Sequence, residues 1–523
     1  MMTAARSPAI PSPWHWGIAF ALCASLMLVF EAISSSLILQ AVMVVAVAGV
    51  LVMVLAPQLR ITIVVLWVLV HPLSIEKVFQ IAAPIHPDFM PTFFVFSASD
   101  IFFFILLAHL CWEAVNKRFR TFFWPPAATP FALLCIWVTV LFVFHDVHGM
   151  ATLQLVHWWK MLAFLIMLPM AVRTRQEFML VLTAIAVAIL AQVCVVIASR
   201  ALGRPISFIT LFSPSAPQAM GFSGGSTVYT RTSGTFGHVN QQAGLHVFFT
   251  LPLIGLLYAR NALWKVFGLA AVAGSMFAVL ITFSRSAWVA GAFASVAMVS
   301  VALLKGKMRR EYWYTLGAVA SLAILLIGIF WRPISDRIFG GDEGASASRV
   351  RMLVTSLELI QEHPMVGVGP GNFTEASLKD HPLGRKANRW LGPNEKPQYE
   401  AIDGMEAATS VVGDRLYLIP LQVHNKYMLV TVELGLLGLV LFVWYQTRIF
   451  RAAWECLSTD SPVLLFSGIG LFGAFFATQV YYMFELVYDD KSMLILLFDN
   501  ALMLALSRIV RQEREADEEG IVG

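Results

Sequence analysis

Charge is what this chain lacks most. Lys, Arg, Asp and Glu make up 13% of it, against 58% hydrophobic residues and a mean hydropathy of +0.74. A soluble domain carries about twice that charge fraction, so a fully water-exposed surface is excluded. Cysteine is also sparse: Cys23, Cys111, Cys135, Cys194 and Cys456 are scattered through apolar runs or basic connections. None falls in the hydrophilic part of the chain, which excludes a disulfide framework and a cysteine-spaced metal site. No H-E-x-x-H, D-x-D or nucleotide-binding loop stands in a useful position, so no metal and no nucleotide cofactor is expected. No internal repeat is visible, which argues against a transporter built from paired halves. The net charge of +4 sits in the basic connections and implies no nucleic acid partner.

What the chain has instead is apolar length. Runs of about 17–22 residues recur, enough to cross a hydrocarbon core of about 30 Å as helix. There are about fourteen such runs: 17–32, 36–56, 59–72, 93–112, 129–145, 154–172, 178–198, 243–259, 266–283, 287–304, 314–331, 427–445, 463–484 and 492–508. A membrane β-barrel would show ten-residue alternation instead. The expected fold is therefore all-α, a polytopic transmembrane bundle of about 12–14 spans with a hydrophilic subdomain inserted between late helices.

Basic residues set the expected orientation. With the N-terminus in the cytoplasm, Arg6, Arg60, Lys117, Arg118, Arg120, Arg173, Arg175, Arg260, Lys265, Lys305, Lys307, Arg309, Arg310, Arg448, Arg451, Arg508, Arg511 and Arg514 all fall inside. The short outer loops hold little beyond Lys77 and Lys491. The first apolar run lacks a convincing small-residue cleavage site and reads as a retained helix. The charged tail beyond Val510 reads as a short cytoplasmic end.

The chain divides into N-terminal spans (1–228), a core (229–445) and C-terminal spans with the tail (446–523). Within the core, a hydrophilic loop spans 332–425, and its stretch from Arg332 to Val423 holds roughly a third of all charges. Ser346 and Ser348 read as helix N-caps there, with Val350, Leu353, Val354, Leu357 and Ile360 at helical spacing and Pro364 as a stop. On the helical wheel Arg349 edges the apolar stripe and Arg351 faces solvent. Gly367-Val-Gly369-Pro-Gly371 forms a tight turn whose N–H groups suit an anion. Residues 374–413 read as surface loop, followed by an apolar run from Leu416 to Val423 and then His424.

Arg285, Arg349 and His424 come from three separate segments on one expected face. Two guanidiniums suit a diphosphate, because each offers a planar fork to phosphate oxygens. A histidine suits removal of a proton from a hydroxyl nucleophile. Each residue also has a plainer reading. Arg285 reads as an interfacial anchor, Arg349 as a helix-start arginine, and His424-Asn425 as a capping pair. His238 and Asn240 read as turn residues, Arg204 and Arg231 as solvated loop charges. Lys160 reads as an aromatic-belt anchor and Asp100 as a helix N-terminal charge.

The segments R-T-S-G-T-F-G-H-V-N-Q (231–241), T-F-S-R-S-A (282–287), S-R-V-R-M-L…E-H-P-M-V-G-V-G-P-G-N-F (348–373) and H-N-K-Y-M-L-V-T-V-E-L-G-L-L-G-L (424–439) resemble the O-antigen ligase and polymerase family. The resemblance implies a bacterial inner-membrane glycosyltransferase that uses an undecaprenyl-diphosphate-linked glycan on the periplasmic side, without metal or nucleotide sugar. It implies that Arg285 and Arg349 hold the diphosphate and that His424 activates or orients the acceptor hydroxyl. Arg231, His238, Asn240, Gly369 and Asn425 join them as candidate binding residues. Lipid A-core (a ligase) and another lipid-linked glycan (a polymerase) are both open as acceptor, as is a protein residue. A small-anion transporter is the rival of another class. The chain departs from the family at Leu353, where a tryptophan is usual, which keeps Arg351 as the fallback for Arg349. Its span count also exceeds the roughly twelve of the ligases.

Overall fold

Lipid offers backbone N–H and C=O groups no partners, so apolar runs must close their hydrogen bonds internally, as helices do. The computed structural model describes residues 59–82, 92–116, 122–145, 149–202, 221–224, 227–236, 238–306, 310–339, 343–373, 376, 408–412, 415–419, 423–485 and 490–519. The helices are α1 Leu59–Val70, α2 Ala98–Val115, α3 Ala128–Phe144, α4 Gly149–Ala171, α5 Arg175–Leu202, α6 Val239–Thr250, α7 Ala262–Thr282 and α8 Arg285–Leu304. They continue with α9 Arg310–Ile329, α10 Trp331–Phe339, α11 Glu343–Glu362, α12 Lys426–Glu455, α13 Pro462–Phe484 and α14 Asp490–Glu518.

The chain is an all-α polytopic bundle. Among the described residues eight helices are long and apolar enough to cross a membrane, or nine with α9 and α10, which bend by 76° at their junction. α1 and α3 are shorter apolar helices, and α6 runs on through Pro252 as a 3-10 turn, Leu251–Tyr258. Every expected run from 59–72 onward overlaps one of these helices, but the start of 93–112 is corrected: Thr92–Ser97 is a strand paired antiparallel with Glu76–Ala82, ahead of α2. The runs 17–32 and 36–56 lie outside the described residues.

Two further local expectations are corrected. α11 begins at Glu343, so Ser346 and Ser348 lie within the helix rather than capping it. Its inward stripe is Met352, Ser356, Leu359 and Ile360, with Met352, Leu359 and Ile360 packed toward Phe373, Val423, Leu429 and Val432. The expected stripe of Val350, Leu353, Val354 and Leu357 is exposed on the chain. A bilayer solvates apolar side chains as well as a protein core does, so apolar spacing alone does not say which face is inward. The second correction concerns 374–413. Its end forms a strand, Ala408–Val412, paired antiparallel with a second strand, Arg415–Ile419. Consecutive β-branched Val411 and Val412 favour extended backbone, while residues 377–407 lie outside the described part.

One end of the bundle carries a cluster of arginines and carboxylates. There Arg60 pairs with Glu177, Arg173 Nη2 donates to Glu113 at 2.6 Å, and Arg508 Nη1 donates to the Pro169 carbonyl at 3.0 Å. These are arginines that the charge bias groups on one side. The candidate functional residues lie at the opposite helix ends.

A break in α12 shapes that second end. Gly435 has φ 69° and ψ −174° within the helix, which leaves nearby backbone groups without helical partners. The 363–371 turn supplies them. Val368 N–H donates to the Val432 carbonyl at 2.8 Å, Gly369 N–H to the Glu433 carbonyl at 3.0 Å, and Leu436 N–H donates to the Pro364 carbonyl at 2.9 Å. The Trp137 indole takes the Leu434 carbonyl at 2.8 Å, and the Glu433 carboxylate accepts the Gly371 and Phe373 N–H groups. A Cβ on Gly435 would stand 2.1 Å from the Met365 carbonyl oxygen, so only glycine permits this docking.

Candidate functional site

The site begins at the corner between α7 and α8. Phe283, fully buried, takes the left-handed conformation at φ 52° and ends α7. Ser284 N-caps α8 by position and Arg285 opens it, half-buried. Turning the chain within so few residues leaves the Thr282 and Phe283 carbonyls free. Arg231 Nε donates to the first at 2.8 Å, and Arg337 Nε from α10 to the second at 3.3 Å. Arg231 is therefore a half-buried tie between segments, which corrects its reading as a solvated loop charge. Tyr229 adds a second link to α10, donating to Asp336 Oδ2 at 2.8 Å.

From Arg231 the contacts run inward. Its Nη2 donates to Asn240 Oδ1 at 2.9 Å. Asn240 Nδ2 in turn donates to both oxygens of Glu485, at 3.1 and 3.0 Å. Ser286, next to Arg285, donates to Glu485 Oε1, and Tyr481 on α13 donates to the Asn240 carbonyl at 2.5 Å. Glu485, only 5% exposed, thus joins the starts of α6 and α8 at the end of α13. Burial raises its carboxyl above the usual range, while Ser286, Arg349, Asn240 and Arg231 act against that rise.

Arg349 on α11 brings a second cation to the group, since its charge bears on both Glu485 and His424. His424 immediately precedes α12 and is half-buried. Its Nδ1 is buried and makes no hydrogen bond among the described residues. Burial, then the charges of Arg349 and His238, push its imidazole down to about 4. His238 is likewise pushed down to about 4, by burial and by Arg231. Both rings are therefore neutral at physiological pH and able to accept a proton.

Arg231, His238, Asn240, Arg349 and His424 are brought into one group, with Arg285 beside it through Ser286. The capping reading of Asn425 holds, its Oδ1 accepting the Met428 N–H at 3.0 Å at the start of α12. The turn reading of His238 and Asn240 is corrected, since His238 N-caps α6, its Nδ1 accepting the Asn240 N–H at 3.2 Å, and Asn240 lies in the first turn of that helix. Gly369 has its N–H committed to Glu433 and its φ of 95° imposed by the turn, so its observed role is to seat that turn on α12. Lys160 pairs with Asp100, which also closes a capping box with Ser97, so the two readings at that helix end merge into one ion pair. The Arg351 side chain and Arg204 lie outside the described part.

Glu485 was missed from sequence because it stands alone at the end of an apolar run, in no motif. A signal was available. The candidates on this face were cationic or neutral, and a cation at a membrane interface usually has a partner.

Directly behind the corner lies an apolar cavity of about 640 Å³ between α7, α8, α9 and α10. Ala287 and Trp288 line it one turn from Arg285, with Val279, Leu280, Ile334 and Ile338 around them. Charge-bearing and apolar spaces thus adjoin across a single helix turn. Among the described residues no group of His, Cys, Asp and Glu could hold a metal ion. Residues 268–443 match the model of the O-antigen ligase family, a range that holds Arg285, Arg349, Gly369, His424 and Asn425. Arg231, His238, Asn240 and Glu485 fall outside it, and no curated protein matches the chain.

Proposed function

We propose that this chain, whose residues 268–443 belong to the O-antigen ligase family, transfers a glycan from undecaprenyl diphosphate to a sugar hydroxyl on the periplasmic side of the inner membrane. The observation that carries this reading is that Arg349 bears on both His424 and Glu485, with Arg231 also at Glu485, beside an apolar cavity. An amphiphilic donor needs that pairing of environments, with cations for its diphosphate and apolar space for its lipid. Lipid A-core is the proposed acceptor. Because the motifs are shared, extension of another lipid-linked glycan by a polymerase is the second reading.

The chemistry follows from the groups present. The acceptor oxygen attacks the anomeric carbon while the bond from that carbon to the diphosphate oxygen breaks. His424 takes the hydroxyl proton, a role open to it because its ring is held neutral. Negative charge accumulates on the leaving diphosphate, where Arg285 and Arg349 stabilise it more strongly than in the ground state. No metal ion is required for charge neutralisation in this scheme. Purified protein incubated with a lipid-diphosphate glycan and candidate acceptors tests the proposal. Glycan on lipid A-core identifies a ligase, a lengthened lipid-linked glycan a polymerase, and absence of any transfer refutes both.

A further inference from the structure

The hydrogen-bond partners of Glu485 are neutral, although Arg231 and Arg349 stand close enough for their charges to act on it. Its carboxylate receives N–H from Asn240 and O–H from Ser286. Arg231 stands one residue further out, behind Asn240 Oδ1. A bidentate arginine would pin the carboxylate in its ionised form. This arrangement instead satisfies either form. When ionised, Glu485 accepts from Asn240 and Ser286. When neutral, its O–H can donate to Ser286 Oγ, whose own proton turns to Ser284 Oγ at 3.1 Å, while Oε2 keeps the Asn240 N–H at 3.0 Å. Hydroxyl rotors permit that reversal without moving a heavy atom.

We propose that Glu485 is a positioning carboxyl that takes up one proton from solvent when the donor diphosphate binds beside it, linking donor affinity to pH. This inference rests on the diphosphate reading given above. In the empty site, Arg231 and Arg349 favour the carboxylate. A bound diphosphate engages Arg349 and adds like charge next to a group that is 5% exposed, so the ionised form becomes costly. Protonation removes the repulsion while Asn240 and Ser286 stay in place. Arg231 and the start of α8, with Arg285, therefore keep their positions through donor binding.

The other groups facing this point are His238 before α6, His424 before α12 and Tyr481 on α13. In the free protein both imidazoles are held down to about 4 while burial raises the carboxyl, and the Glu485→Gln variant decides which of the three groups takes up the proton. Between its free and bound values, one titrating group lowers affinity tenfold for each pH unit of increase. Outside those limits affinity is flat.

The test uses the full chain in nanodiscs and a polyprenyl-diphosphate-linked sugar, a diester whose own charge is constant across about pH 5–9. Affinity is measured by calorimetry in buffers of different ionisation enthalpy. The expected result is uptake of about one proton per donor and a tenfold-per-unit limb in the wild type. Glu485→Gln should abolish both and bind at least as tightly as wild type at the alkaline end. Ser284→Ala removes the acceptor needed only by the neutral form, so it should move the limb to lower pH, which keeps the inference testable if Glu485→Gln folds poorly. Persistence of the limb in Glu485→Gln would assign it to a histidine and overturn the inference, as would a wild type without proton uptake. Arg349→Ala separates the two readings. A tenfold or greater loss of affinity there with an unchanged limb in Glu485→Gln refutes only the proton linkage, whereas no loss refutes the diphosphate site itself.

Discussion

The neutral His424 makes a quantitative prediction for the acid side of the reaction. An imidazole at its ordinary value near 6.5 would be only about 3% neutral at pH 5, whereas one held at about 4 is roughly 90% neutral. Burial contributes most of that depression, and the Arg349 charge adds to it. The rate at low donor concentration, kcat/KM, reports the free enzyme and so reads this value directly. On the acid side of any fall caused by Glu485, wild type should keep its kcat/KM down to about pH 5 and lose it as pH approaches 4. Arg349→Ala removes a neighbouring cation, so its acid limb should move to higher pH in addition to an overall loss. Arg349→Lys keeps the charge but not the fork, so it should lose rate while its limb stays in place. Transfer of a labelled glycan, measured from about pH 4 to 8 with the three proteins, gives the answer. A wild-type limb near 6.5, or a limb that Arg349→Ala leaves unmoved, would refute the argument. The sign for stability is the same. Between about 4 and 6.5 the unfolded chain binds a proton that the native His424 does not, so stability falls as pH falls through that window.

Other outcomes follow from individual contacts. Asn240→Ala removes charge-assisted bonds to Arg231 and Glu485, each worth about 1.5–3 kcal/mol, so transfer should fall about 10²-fold or more; activity within threefold of wild type would contradict the relay. Arg285→Ala should lose roughly ten- to a hundredfold in kcat, with Lys restoring only part, and an unchanged rate would remove Arg285 from the leaving-group site. Gly435→Ala combines about 1–3 kcal/mol of backbone strain with displacement of the Met365 carbonyl, so purified protein should melt several degrees lower or fail to accumulate. A cysteine at Ser377 should react with an impermeant thiol reagent in intact spheroplasts and one at Lys307 should not; the reverse pattern would invert the proposed orientation.

The helices were readable because each satisfies its backbone alone, and that requirement is written in twenty or so consecutive residues. The grouping of Arg60, Arg173 and Arg508 at one end was readable for a similar reason, since charge bias is additive along the chain. The site was readable only in part. Arg349 and His424 lie in recognisable segments, and spacing could place them on one face. That Arg231 reaches the Thr282 carbonyl depends on Phe283 adopting φ 52°, which no local propensity of phenylalanine indicates. Glu485 needed the packing of α13 against α8 to meet Ser286, a contact between residues 199 positions apart. Such pairings are properties of helix packing, and periodicity within one helix does not contain them.

The glycine-rich turn shows how a motif can serve a site without touching its ligand. Read alone, Gly367, Gly369 and Gly371 suggested a cradle of N–H groups for an anion. In the structure, the Gly369 N–H meets the Glu433 carbonyl and the Gly371 N–H meets its carboxylate. The α12 break at Gly435 creates the demand, and the turn at 363–371 meets it. That docking fixes the first turns of α12, which carry Asn425 and His424 at their start, and anchors the C-terminal end of α11, the helix that bears Arg349 near its other end. The positions of the histidine and of the arginine that depresses it thus depend on one glycine contact behind them. Substitutions in this turn should therefore disturb His424 titration along with stability, whereas loss of an anion cradle would disturb donor affinity alone.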